Sequence, residues 1–523
     1  MYPRSKGPFY ITTPIYYVND VPHIGHAYTT VAADILARFK RLEGYRAFFL
    51  TGTDEHGQKV EKAAQERGVE PQVHCDEMVQ RFQALWKRFN ISNNEFIRTT
   101  EARHIKVVQK ILQELYDRGE IYQDNYEGWY CVPCERFWTE KDLSDGRCPD
   151  CLREVSALSE KNYFFRMSKY RSWLVEHIEK HERFILPPSR RNEILGFLQS
   201  PLEDLCISRP KKRLKWGIEI PFDRDYVTYV WFDALINYVS GLGYGSENSP
   251  FSEFWPEAIH LIGKDILTTH TVYWPTMLKA IGLPPPKMVF AHGWWTVEGK
   301  KMSKSLQNVV EPNRLIDTYG VDAVRYFLMR EVSFGMDGDF SHAAMVHRIN
   351  SDLANDLGNL FSRSLSMVHR YFDGLVPTPS EPQEIDARLE GVAKRVVAQL
   401  PELMDDLAFN KALVAIWEMV SASNKYVDET APWSLAKEEK HRPRLATVLY
   451  HLLESLRLLS LLIAPFMPTT GEKMWGQLGL GGSLWEERLD EQGVWGRLKP
   501  GGKVAKPIPL FPRIDPSKLP SER

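Results

Sequence analysis

Two clusters in this sequence carry side chains suited to holding an anion. The first is His23-Ile24-Gly25-His26; the second, about 275 residues later, is Lys301-Met302-Ser303-Lys304-Ser305. Imidazoles donate hydrogen bonds to phosphate oxygens, and a glycine between them lets a ligand approach the backbone. A glycine-preceded lysine loop is suited to gripping a triphosphate. Either cluster alone is weak, since histidines at a helix start are often bland and a short basic loop is usually a solvated turn. Together they describe a site where charge builds on phosphate oxygens and is met by fixed cations and N–H donors. No covalent nucleophile is required, and no serine or cysteine here stands in a recognisable triad.

A third cluster has metal-ligand spacing. Cys131-x-x-Cys134 and Cys148-x-x-Cys151 bring four thiolates, with thirteen residues between the pairs, a set suited to one tetrahedral Zn2+. Pro133 and Pro149 favour the turns inside the two knuckles. Four protein ligands leave no open position for a substrate, so the zinc is expected to be structural; four unmetallated cysteines are the alternative. Cys75 and Cys206 lack such partners and read as buried thiols.

The elements that must position these residues follow from periodicity. FYITTPIYYVND, from Phe9, is β-branched and aromatic as a buried strand should be. AYTTVAADILARFKRL then places Val31, Ile35 and Phe39 on one helical face, with Gly44 as its stop. The histidine cluster sits where that helix begins, where unpaired N–H groups and the helix dipole favour an anion. A second buried strand, Tyr45 to Gly52, runs into Thr53-Asp54-Glu55-His56-Gly57. Asp54 reads either as a helix N-cap or as the partner of an ammonium group at a parallel sheet's carboxyl edge. Residues 58 to 118 look helical and charged, and strand patterns return at Val227–Val239, Ala258–Ile266 and Met288–Trp295. After the lysine loop the pattern is helical almost throughout. The basic run Arg209 to Lys215 suits RNA phosphates, although a solvated linker is the commoner reading.

With 523 residues the chain has room for three or four domains, and a net charge of −2 leaves any nucleic-acid contact to local basic patches. The greasy run Leu452 to Pro468 contains Glu454 and Arg457, which argues for a packed helix rather than a membrane span. No targeting segment is evident at the N-terminus. A reducing, cytoplasmic setting is expected from the cysteine pattern.

Taken together, TTPIYYVND, the histidine motif, GTDEHG, YVWFDALINY, HLIGKDI, the zinc knuckles and the lysine motif resemble the methionyl-tRNA synthetases, a family of class I aminoacyl-tRNA synthetases. The resemblance runs from about residue 8 to 512. It implies a ligase that activates L-methionine with ATP, with Mg2+ on the phosphates, and transfers it to tRNA(Met) carrying a CAU anticodon. The implied fold is α/β: a Rossmann-like parallel sheet interrupted by a zinc-bearing insertion, followed by an α-helical anticodon-binding bundle. The division expected is 1–118 and 221–290 for the two catalytic halves and 119–220 for the insert. A lysine-loop and stem-contact region follows at 291–340, the bundle at 341–498 and a tail at 499–523.

On that resemblance, His23, Gly25 and His26 face ATP, with Gly263 and Asp265 near the ribose and Lys301 and Lys304 on the phosphates; His23, His26, Lys301 and Lys304 would be catalytic. Ile15, Tyr17, Trp231, Leu235, Tyr238 and His270 would wall the methionine pocket, with Asp54 on the amino group. An aromatic slot of this kind suits a thioether, although each aromatic taken singly is as well explained as core. Asn359, Arg363 and Trp433 would read the anticodon, Trp433 by stacking a base unless it merely packs a helix end. Some family members carry a proline where Leu235 stands, some have a second knuckle, and many end in an oligonucleotide-binding dimerisation module that does not follow here, so a monomer is expected. Two rival readings are a branched-aliphatic class I synthetase, whose longer insertion is missing, and a zinc-bearing RNA-binding protein without catalysis.

Overall fold

The structure, a computed structural model, describes residues 6–131, 136–138, 140–149, 152–297, 299–301 and 309–518. Its centre is a wholly parallel sheet. Across the sheet the strands are Glu95–Arg98, Arg46–Asp54, Pro8–Thr12, Ala258–Gly263, Met288–His292 and Ile185–Leu186. Tyr16–Tyr17 prolongs the Pro8–Thr12 strand along the same edge of Arg46–Asp54. The chain leaves Pro8–Thr12 towards one side and later returns, as Ala258–Gly263, on the other. Strand order therefore reverses beside Pro8–Thr12, and a ligand crevice is expected outside the carboxyl ends at that point.

The first helix, Ile24–Leu42, packs Ala27, Val31, Ile35 and Phe39 into the core below the sheet. It stops where the reading placed its end: Gly44 takes φ +94°, a left-handed residue past the last turn that costs a glycine little. Gly52 has a different reason to be glycine. A Cβ there would lie 2.0 Å from the carbonyl oxygen of Ile97 on the neighbouring strand.

Two expectations about elements need correction. Within residues 58 to 118 a short strand, Glu95–Arg98, adds an edge to the sheet between the helices Pro71–Arg88 and Ala102–Asp117. Four residues in a charged stretch carry too little alternation to be seen. The stretch Val227–Val239 is a strand only to Thr228, and continues as the helices Val230–Leu235 and Asn237–Ser240. Nearly every residue from Thr228 to Leu242 is buried, and an element buried on all sides shows neither period, so its β-branched and aromatic content misleads.

Between the halves of the sheet lies an antiparallel sheet of four strands, Arg136–Trp138, Ile121–Cys131, Ser156–Phe165 and Leu205–Cys206. The same stretch also supplies Ile185–Leu186, so the parallel sheet takes an edge strand from within 119–220. Of the five basic residues in Arg209–Lys215, three are engaged within the fold, while Lys212 and Lys215 are exposed. Arg209 is buried over the Tyr229 ring, Lys211 pairs with Glu219, and Arg213 pairs with Glu160 at 2.9 Å.

Beyond the sheet the helices Asn359–Phe372, Glu384–Asp405, Phe409–Thr430, Arg442–Ile463 and Pro468–Gln477 form a bundle. The segment Glu439–Ile463 is long and apolar enough to cross a membrane, but its apolar window is almost entirely buried in the bundle. Glu454 and Arg457 pair inside at 2.6 Å, and the Glu454 carboxylate accepts the N–H groups of Gly496, Arg497 and Leu498. The tail runs back over the bundle, where Ile514 N–H donates to the Asn350 side chain at 2.8 Å.

Candidate active site

At the reversal of strand order lies a cavity of about 480 Å³, within the range of small-molecule sites. Its walls come from the carboxyl ends of four parallel strands, the start of helix Ile24–Leu42 and the helices from Val230 to Tyr238. Twelve of the residues singled out in the sequence line it: Ile15, Tyr17, His23, Gly25, His26, Asp54, Trp231, Leu235, Tyr238, Gly263, Asp265 and His270. They come from segments as far apart as residues 15 and 270, and only the fold brings them together.

The two histidines cap their own helix. Gly25 N–H donates to His23 Nδ1 and His23 N–H donates to His26 Nδ1, each at 3.1 Å. The rings stack with centroids 3.8 Å apart. A nitrogen that accepts a backbone N–H carries no proton of its own, so in each neutral ring the proton lies on Nε2. Burial lowers the pKa of His23, against the pull of Asp20 and Asp265, and lowers that of His26 well below its usual value, aided by His23. Both rings are therefore neutral near pH 7 and offer Nε2–H donors. The expectation of unpaired backbone N–H groups at this helix start is corrected accordingly. Gly25 N–H is taken by His23, and Ile24 N–H donates to Val310 O at 3.3 Å. What the site offers an anion here is the imidazole edge.

Behind His26, the Tyr16 ring stacks parallel to Phe82, with centroids 5.8 Å apart, and its hydroxyl bonds Thr30 Oγ1 at 2.7 Å. His292 Nδ1–H donates to Gly293 O at 2.7 Å, which leaves Nε2 to accept from the Thr29 hydroxyl at 2.6 Å. At the aromatic end, His270 Nδ1–H donates to Ile266 O at 2.9 Å, so its Nε2 accepts from the Tyr238 hydroxyl at 2.7 Å. Burial pushes the pKa of His270 down to about 4, so this ring too is neutral. Trp231 stands edge-on to His270 with centroids 6.3 Å apart. Tyr238 lies stacked on the buried His260 at 4.1 Å. Such a slot is apolar and polarisable, with fixed orientation. Asp54 lines the cavity near Tyr17, and the Lys59 ammonium sits 5.1 Å from the Tyr17 ring centre.

Across the cavity, Asp265 accepts from Trp294 Nε1 at 3.1 Å, and Gly263 leaves room beside it: a Cβ there would come within 2.5 Å of Asp265 Oδ1. Lys301 closes a hairpin with Thr296, and Val309, where the described chain resumes, lines the cavity. The far end of the lysine loop thus reaches the cavity at Val309, while Lys304 itself lies outside the described residues.

The sequence reading passed over several lining residues: Thr29, Lys59, Asn237 and the run His292 to Trp295. His292-Gly293 had a usable signal, since a histidine and a glycine directly after a buried strand repeat the logic of the first cluster. Asn237 had none, because its helix read as strand.

The other expected residues lie elsewhere. Cys131 ends a strand and Cys148 lies in a tight turn, both wholly buried. Cys134 and Cys151 lie outside the described residues. Asn359 and Arg363 occupy successive turns of one helix, Asn359 exposed. Arg363 Nη2 donates to Asn424 Oδ1 at 2.7 Å, and the guanidinium stands 3.4 Å from Asp428. Trp433 follows the same helix as Asp428, on the turn Pro432–Leu435, and is 47% exposed.

Comparison with known proteins finds relatives along nearly the whole chain. The family model described as "tRNA synthetases class I (M)" matches residues 9–159 and 153–365. The model described as "Anticodon binding domain of methionyl tRNA ligase" matches residues 376–520. The chain is 55% identical over 516 residues to a methionine–tRNA ligase of Caldanaerobacter subterraneus subsp. tengcongensis, covering 98% of this chain and 80% of that one. It is 52% identical to that of Clostridium acetobutylicum, over 98% and 79%. Among solved structures, Mycobacterium tuberculosis methionyl-tRNA synthetase in complex with methionyl-adenylate superposes with a TM-score of 0.93 at 43% identity, covering 97% of this chain and all of that one.

Proposed function

This chain belongs to the methionyl-tRNA synthetases of class I, and from that premise we propose how its residues divide the reaction. The family reaction joins methionine to ATP as methionyl-adenylate, releasing pyrophosphate, and then transfers methionine to the terminal adenosine of tRNA. The observation that carries the assignment of residues is the cavity, where the histidine cluster, Asp54, the Trp231 helix and Gly263 to His270 meet at one reversal of strand order.

Methionine lies with its thioether among Trp231, Leu235, Tyr238 and His270, and with its ammonium on Asp54. Ile15 and Tyr17 close that end. The ATP ribose sits against Gly263 and Asp265, and its triphosphate crosses His23, Gly25 and His26. As the carboxylate attacks the α-phosphate, charge grows on the non-bridging oxygens, and the two Nε2–H groups meet it from a buried, preorganised position. Neutral imidazoles suit this, because they donate without holding the ground-state phosphate tightly. Lys301 and Lys304 neutralise the pyrophosphate as it leaves, and Mg2+ accompanies the phosphates without a dedicated protein cage. Cys131, Cys134, Cys148 and Cys151 would hold one structural Zn2+. The burial of the two described thiols fits that donor set, since thiolate ligation withdraws them from water. Asn359, Arg363 and Trp433 take the CAU anticodon. The division of the chain at 118, 220, 290, 340 and 498 stands as part of the same proposal.

The test is ATP–pyrophosphate exchange with each of the twenty amino acids in turn. Methionine alone should support it. Exchange with leucine or isoleucine would reassign the pocket to the branched-aliphatic group, and no exchange with any amino acid would remove the catalytic reading.

A further inference from the structure

A buried carboxylate that touches neither substrate ties the two sides of the amino-acid end of the cavity together. Asp233 lies on the helix Val230–Leu235, between Trp231 and Leu235, with no exposed surface. His56 Nδ1 approaches Asp233 Oδ2 at 2.6 Å, and His104 Nε2 approaches Oδ1 at 2.7 Å. A carboxylate only accepts, so both imidazole nitrogens donate. His104 Nδ1 is then left to accept from the Ser240 hydroxyl at 2.8 Å. His56 is two residues beyond Asp54, in the turn that ends the strand Arg46–Asp54. Its neighbour Glu55 is held separately, by Thr99 Oγ1 on its N–H and by Arg98 on its carboxylate. Those bonds fix the turn to its own half of the sheet. The bond to Asp233 joins it to the other half.

We infer that Asp233 is a positioning residue for methionine: it sets the distance and angle between the Asp54 carboxylate and the wall formed by Trp231 and Leu235. The inference rests on the reading of those three residues as methionine contacts. An isolated buried carboxylate would be costly to ionise. Burial here does push against the charge, but the two imidazoles outweigh it and hold the Asp233 pKa below its ordinary value. The ATP side is anchored to other elements, the start of helix Ile24–Leu42 and the segment Gly263–Asp265, and has no share in this cluster. Loosening Asp233 should therefore blur one substrate's site and not the other's, since misplacement of about 1 Å is enough to cost up to about 100-fold.

The experiment measures KM for methionine and for ATP separately, in exchange, for Trp231→Ala, Asp233→Ala, Asp233→Asn and His56→Gln. Trp231→Ala should raise the methionine KM; if it does not, the pocket assignment itself fails. Given that it does, Asp233→Ala should raise the methionine KM about tenfold or more with the ATP KM changed less than about twofold. Asp233→Asn should recover most of the loss, because the amide oxygen still accepts from one imidazole and its NH2 can donate to the other once that ring moves its proton. Should Asp233→Ala not fold, His56→Gln decides, with a methionine-selective rise of about threefold or more expected. Equal shifts in both KM values, or an unchanged methionine KM, would make Asp233 an ordinary core residue and overturn the inference.

Discussion

His23 and His26 have two jobs, and the geometry separates them. Nδ1 of each ring accepts a backbone N–H and so holds the helix start, while Nε2–H is the donor that the proposed function directs at the phosphate. Alanine at His26 should slow methionine-dependent exchange by roughly 100-fold, about 2.7 kcal/mol, with a small change in the methionine KM, as expected for donors that matter in the transition state. His23→Ala should do the same and also lose the cap, worth about 1 kcal/mol of stability. His23→Asn separates these effects: its side-chain oxygen can still accept from Gly25, so unfolding should return near to wild type while exchange stays low. Exchange that recovers along with stability would mean that His23 is only a cap.

Between the scale of residues and that of the molecule, the bundle shows how an element presents a side chain. The helix Phe409–Thr430 ends at Ala431 with φ +41°, and the chain turns so that Pro432 is buried and Trp433 faces outward. The same helix holds Arg363 through Asn424 and Asp428, which fixes that guanidinium's direction before any RNA arrives. Trp433→Ala should weaken charging of the CAU-anticodon tRNA by roughly 5- to 150-fold, the loss of one base–aromatic stack of about 1–3 kcal/mol. Exchange with methionine and ATP should stay near wild type. The comparison belongs at one salt concentration, because phosphate contacts elsewhere weaken as salt rises. A matching fall in exchange would take Trp433 out of the anticodon reading.

Across the whole molecule, a buried cation, Arg325, links the sheet side to the bundle. Arg325 Nη2 donates to Asp34 at 2.7 Å, Nη1 to Phe89 O, and Nε and Nη2 to the Phe466 and Pro465 carbonyls, each at 2.9 Å. Asp34 lies on the helix that His23 begins, and Phe466 lies just past the bundle's core helix. Arg325→Met should cost about 3–5 kcal/mol in urea unfolding, since it leaves three buried carbonyls without their donor and takes from Asp34 one of its partners. Arg38 also pairs with Asp34 and keeps 11% of its side chain exposed, and Arg38→Ala, which leaves Asp34 its bonds to Arg325 and Ser92, should cost less, about 1–3 kcal/mol. Comparable losses for the two would show that Arg325 has no special share in holding the two parts together.

Motif chemistry and spacing were enough to single out His23, Gly25 and His26, because an anion site at a helix start calls for particular residue types within a few positions, while Gly263 and Asp265 came only with the family resemblance. The strand and helix around the first cluster were legible for a similar reason: one face is buried and the period shows. The stretch Val230 to Tyr238 was not, since burial on every side erases the period, and with it went the placement of Asn237 and the role of Asp233. Pairings such as His56 with Asp233 or Arg325 with Asp34 span 177 and 291 residues. No local pattern encodes a contact at that separation. It is decided when the sheet closes around residues 8–12 and the bundle docks against it, and the tautomers that make His23 and His26 donors are decided there as well.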